Sequence, residues 1–313
     1  MDWTFSFWTP GHLPTKGERV CGCASHGFAA HHAWFGLEVA DAVDWPTALS
    51  GDVLAGSYAE VLGRLRGRPV KPAAVIALFA HATGMEAFLD ECHSVLGATP
   101  MVGGGAARGA GQTHGELLPA AADVSMLLIT QGTWRAETVN VHGATATALE
   151  SRGSGPRSIT HLRRKGLGDW QPAAAAFRAL QAEHGRAGAD CESISLCDRH
   201  GRNVHCSFAG DGLHTGADLP AAGHLMLRTV SRSEASGRLT EFCSVPGALV
   251  FGCAGLRGLL DAPIAVAPGA LAGFVFGELV TLEGQPRFGN LMAARLVPLE
   301  GNPRQVMPHS THC

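Results

Sequence analysis

The stretch GALVFGCAGLRG, Gly247–Gly258, begins like a buried strand and ends among small residues and a thiol. A short, continuous apolar run bounded by glycines suits a strand covered on both faces, as found inside α/β sheets. The glycines around Cys253 call for the close approach of a ligand or another backbone, because a residue without a Cβ leaves that room. Cys253 is therefore expected at the C-terminal end of the strand, where a turn leads into a helix. Ligands bind at that edge of α/β sheets because helix N-termini and unpaired backbone N–H groups gather there.

The same pattern occurs earlier in the chain. AAVIALFAHATGMEAFLDECHSVLGATPMVGGGAARG, Ala73–Gly109, reads as a strand, a turn, a helix with apolar positions Met85, Phe88, Leu89, Cys92 and Leu96, and a second apolar piece entering glycines. Setting Phe79 against Phe251 places His81 opposite Cys253, and DVSMLLIT from Asp123 matches NLMAARLV from Asn290. The expectation is an α/β protein of two related lobes, pseudo-duplicated α/β units with mixed sheets and flanking helices. The edges bearing His81 and Cys253 are expected to face a common hollow. The first lobe is set at residues 1–150 and the second at 171–300. The Gly/Ser-punctuated, basic stretch 151–170 is read as a linker or mobile loop, and 301–313, with two prolines and no periodicity, as a frayed tail.

Bulk composition narrows the function classes. With 313 residues, 46% hydrophobic and 16% charged, and a formal charge of -3, the chain has a globular composition and no basic footprint for nucleic acid. Nine scattered cysteines behind an N-terminus unlike a secretion signal read as reduced thiols, which points to the cytoplasm. The longest uncharged segment, Ala262–Gly277, is too short for a membrane span and is broken by prolines and glycines, so no membrane partner is expected. Sixteen histidines are an excess that hints at metal, haem or acid–base chemistry. GGGAARGAG lacks the third glycine of a dinucleotide loop, and no Gly-Lys-Ser/Thr occurs, so a nucleotide cofactor is not supported.

ALVFGCAGLRG, LAGFVFGEL and RFGNLMAARLVPL, in that order, resemble the C-terminal half of the FIST (F-box and intracellular signal transduction) domain family, and AVIALFAHATGMEAFL with TPMVGGGAARG is similar to its N-terminal half. The positions matching the family blocks are Cys253, Ala254, Gly255, Gly273, Phe274, Gly277, Glu278 and Asn290. Leu256 stands where the family has its arginine, with Arg257 one place along, and Gly289 and Ala293 stand at the usual histidine and threonine. The resemblance implies a sensory module binding small molecules such as amino acids, with output through a separate signalling partner. One branch of the family binds haem and responds to nitric oxide. A homodimer is compatible with this reading.

Cys253 offers a nucleophile or thiolate ligand, Arg257 nearby favouring the thiolate, against a bland role as a small packing residue. Glu278, after an apolar strand, offers a general base or a clamp for a ligand amine. Asn290 would orient a ligand carbonyl or cap its turn, and Arg108 would meet an anion at the mouth of the first-half pocket. His81 is a candidate haem or proton-transfer group through its pairing with Cys253. In CGCASHGFAAHH, His31 and His32 are the candidate metal ligands, although the spacing is not that of a structural zinc site. Three functions compete: sensing of a small polar ligand in a cleft between the lobes, haem binding on a histidine, and catalysis with Cys253 as nucleophile.

Overall fold

The computed structural model describes residues 2–8, 20–24, 28–30, 42–81, 83–106, 122–186, 193–260 and 264–299. They form a mixed α/β fold built on one large sheet of 13 strands. The central strands run in the order Leu49–Gly56, Val124–Ile129, Ala74–Phe79, Met101–Gly105, Leu271–Leu282, Leu249–Cys253, Met292–Pro298 and Trp134–Asn140. The pairings read antiparallel, antiparallel, parallel, then an antiparallel join, then parallel, antiparallel, antiparallel. The sheet thus repeats itself about the join between Met101–Gly105 and Leu271–Leu282.

Within the first unit the crossover is the helix Met85–Leu96, whose five expected apolar positions are all buried. Within the second, glycines 255 and 258 weaken the helix, and the described part of the crossover forms the 3-10 turn Ala254–Leu259. Because the join is antiparallel, the two units point in opposite directions. The C-terminal ends of Ala74–Phe79 and Leu249–Cys253 therefore lie at opposite ends of the sheet, and His81 and Cys253 do not face a common hollow.

The residue matching inside the repeat also shifts. Phe79 packs with Val61, Leu65 and Phe88, under the helices Tyr58–Arg66 and Met85–Leu96. Phe251 packs on the other face, edge-on to Phe5 at 5.6 Å and Phe7 at 5.4 Å. Leu78 shares that face, so Leu78 rather than Phe79 corresponds to Phe251. A slip of one residue exchanges every side chain between faces. Since Leu78 lies opposite Ser125 and Phe251 opposite Ala294, Asp123 corresponds to Met292 rather than Asn290.

The triple glycine 103–105 belongs to the join. A Cβ on Gly103 would lie 1.8 Å from the Ala77 carbonyl oxygen, one on Gly104 2.5 Å from that of Gly277, and one on Gly105 2.3 Å from that of Phe276. These glycines let a strand fit between its two neighbours.

A second sheet of six strands has the order Leu167–Pro172, His161–Arg164, Ala144–Arg152, Ala222–Val230, Ser193–Cys197, Asn203–Val204. The helix Ala173–Arg186 packs on it through Ala173, Phe177 and Leu180. The stretch 151–170, read from sequence as a linker, instead supplies hairpin strands to this sheet. Ile159 and Leu162 enter its core while Arg152 and Arg163 lie over the Trp170 ring, at 4.0 and 4.6 Å from its centroid. Long arginine stems covering an aromatic face carry strand alternation without an apolar signature. Strands from both 1–150 and 171–300 enter the large sheet. The range 301–313 lies outside the described residues.

Candidate functional site

Two polar arrangements stand out, one inside the large sheet and one between the two sheets. The first is built on Cys253, which ends its strand opposite Val275 and turns into the 3-10 segment. The backbone N–H groups of Leu291, Gly255 and Gly277 are directed at its sulfur. A Cβ on Gly255 would sit 2.7 Å from Leu291 Cδ2, so the end of that leucine would have to give way. Gly277 has φ +66° and Leu291 has φ +57°, the latter a strained conformation for a branched side chain.

Glu278 lies beside the thiol on the neighbouring strand. It is completely buried, pairing across the sheet with Gly104 on one side and Gly289 on the other. Its Oε1 accepts a hydrogen bond from the Met292 N–H at 2.8 Å, while Oε2 has no hydrogen-bond partner. Loss of water pushes the Glu278 carboxyl up to about 8, against the pull of the Met292 N–H and the Cys253 thiol. The Cys253 thiol is also raised, by burial first and by Glu278 second. Asn290, on the same turn as Leu291 and Met292, is 9% exposed, and its Nδ2 likewise has no partner. Three candidates from the sequence, Cys253, Glu278 and Asn290, therefore come together. Arg257 follows on the exposed side of the 3-10 turn.

His81 stands elsewhere. Its ring is half-exposed, with Nε2 2.9 Å from Asp123 Oδ1, and the Tyr58 hydroxyl donates to its carbonyl oxygen at 3.0 Å. The hydrogen bond from His81 is the largest influence holding the Asp123 carboxyl below the usual range. Arg108, His31 and His32 lie outside the described residues. Among the described residues, no three His, Cys, Asp or Glu side chains are grouped to hold a metal ion.

The second arrangement is a cleft of about 870 Å³ between the second sheet and one edge of the large one. One wall is formed by Glu150–Arg152 and the paired segment Ala222–His224. Trp170 and the turn 198–202 extend it, and Glu86 and Arg287 face it from the large sheet's helix and hairpin. At the base, Arg202 donates to Glu86 at 2.5 Å, to Asp198 at 3.0 Å and to the Asp218 carbonyl oxygen at 2.8 Å. Burial raises the Glu86 carboxyl, with Arg202 opposing. Arg152 differs from Arg202: it is exposed, lies over Trp170, and pairs with no carboxylate among the described residues. His224 is also exposed on this wall.

Among the described residues, none of the site residues expected from the sequence lines this cleft. Its own residues come from separated segments with no shared spacing. The one local signal was the aromatic Trp170 among basic residues, which resembles a linker as much as a wall. No helix among the described residues is long and apolar enough to cross a membrane. Compared with known proteins, the chain matches no family model and no curated relative.

Proposed function

We propose that this protein binds a small polar ligand bearing an anionic group in the cleft between its two sheets, and passes the bound state to a separate signalling partner. The observation that carries the reading is Arg152, held over Trp170 on the cleft wall without a carboxylate of its own. A guanidinium fixed on an aromatic face presents its donor fork to a carboxylate or similar anion with little rotamer freedom left to lose. The cleft's size falls within the range of about 300–1,000 Å³ used for small-molecule sites. Carboxylates of Glu86, Glu150, Asp198 and Asp218 stand near the same space, so a ligand amine also finds acceptors. The resemblance of the strand-end blocks to FIST domains agrees with a sensory role. Because the walls belong to different sheets, a ligand touching both would favour their closed arrangement.

The test is a thermal melt of the full chain against the standard amino acids and short-chain carboxylates. At least one compound is expected to raise Tm by binding the native state, and Arg152→Ala is expected to weaken its affinity roughly tenfold or more at unchanged unliganded Tm. No shift with any compound, or full retention of the shift in the variant, would remove this reading. The absorption spectrum of the same preparation reads the haem alternative. A Soret band would make His224 the imidazole to test and displace the small-ligand proposal.

A further inference from the structure

The inter-sheet cleft leaves the Cys253–Glu278 pair unused. Two features make it more than a packed thiol. Glu278 Oε2 and Asn290 Nδ2 are both buried without partners, and a buried polar atom left so calls for a reason, a redox or catalytic role among them. In addition, N–H groups from three separate segments, at Gly255, Gly277 and Leu291, converge on the sulfur. Such donors favour negative charge on it.

Access decides the chemistry. Cys253 is only 8% exposed, and exposed Gly255 lies close enough that a Cβ there would sit 3.8 Å from the sulfur, so the centre suits a reactant of a few atoms rather than a peptide or acyl chain. From this geometry we infer that Cys253 is a reactive thiol centre for a hydroperoxide, with Glu278 as its proton-transfer partner. The thiol proton passes to the Glu278 carboxylate as the sulfur attacks one peroxide oxygen. The O–O bond breaks, and the departing oxygen takes the proton back from Glu278 and leaves as water or an alcohol. Cysteine is oxidised to the sulfenic acid and the peroxide is reduced. The N–H groups of Gly255, Gly277 and Leu291 hold the thiolate as it forms.

Cys206 provides an internal control. It is more exposed than Cys253, and its thiol is pushed up to about 12 by burial alone. Among the described residues, the titratable group acting on Glu278 is Cys253, and the backbone N–H groups of Met292 and of Glu278 itself act beside it. The full chain is treated with hydrogen peroxide for timed intervals and quenched into denaturant containing dimedone, which traps sulfenic acid, and labelling at each cysteine is followed by peptide mass spectrometry. Cys253 is expected to label roughly tenfold faster than Cys206, with a rate that levels off above about pH 8 once Glu278 is ionised. Cys206 should keep climbing about tenfold per pH unit, as an unassisted thiol does. Glu278→Gln should slow Cys253 labelling by roughly tenfold or more. Faster labelling of Cys206, or acceleration by Glu278→Gln, would overturn the inference, since the carboxyl would then only repel the thiolate. If that variant does not fold, the wild-type pH profile and the Cys206 comparison decide alone.

Discussion

Replacing Arg202 with methionine is expected to destabilise the protein by about 3–5 kcal/mol at neutral pH. Arg202 is 8% exposed and joins Glu86, on the large sheet's helix, to Asp198, on the second sheet's turn. Removing it strands two carboxylates that are themselves only 13% and 10% exposed. Methionine keeps the side chain's length and apolar stem, so the loss reports the missing charge and hydrogen bonds. Glu86 is already raised by burial, and without Arg202 it rises further. A buried carboxyl with a raised value is tolerated while protonated and destabilises as it ionises, so the deficit should be smaller at pH 5 than at pH 8. Urea denaturation at the two pH values reads it, and Glu86→Gln in the same chain should restore part of the loss. A deficit below about 1 kcal/mol would mean that the network does not join the sheets.

Glu278 gives the second large effect. Its carboxyl moves from the ordinary 4.5 to about 8 in the folded chain, so the native state holds a proton that the unfolded chain releases. Stability from this group is fully present below about pH 4.5 and is lost as pH rises towards 8. At neutral pH the loss is on the order of 3 kcal/mol. His142 works in the opposite sense. Burial, with Arg228 nearby, lowers it from 6.5 to about 4, so its contribution is lost as pH falls through that interval. The two slopes offset each other up to about pH 6.5, above which Glu278 acts without His142. Wild-type stability is therefore expected to fall between pH 6.5 and 8, and Glu278→Gln should fall less steeply over that interval. Glu86 contributes the same slope to both proteins, so their difference isolates Glu278. Parallel curves for the two would show that Glu278 is ionised in the native state throughout.

The strand-end pattern of GALVFGCAGLRG carried much of the fold. Apolar runs entering glycines marked the two parallel pairs, and the 3.6-residue spacing from Met85 to Leu96 marked the helix between the first of them. Face and direction were not legible. Phe79 and Phe251 look interchangeable in sequence, yet they pack on opposite faces, because identity of residue type does not fix strand register. The antiparallel join that separates His81 from Cys253 is a long-range pairing through Gly103–Gly105, and nothing local encodes it. Cys253, Glu278 and Asn290 were recoverable because each sits next to a glycine or a strand end. The cleft was not, because Glu86, Arg152, Trp170 and Arg202 meet only when the second sheet docks.

We propose that the molecule receives its signal in this inter-sheet cleft. Hydrogen–deuterium exchange of the full chain, with and without the amino acid or carboxylate giving the largest Tm shift, tests it most directly. Protection is predicted in Ala144–Arg152, Leu167–Pro172, the turn 198–202 and Ala222–Val230, with Leu249–Leu259 unchanged. Protection confined to 249–259, or spread evenly over both sheets, would contradict the account.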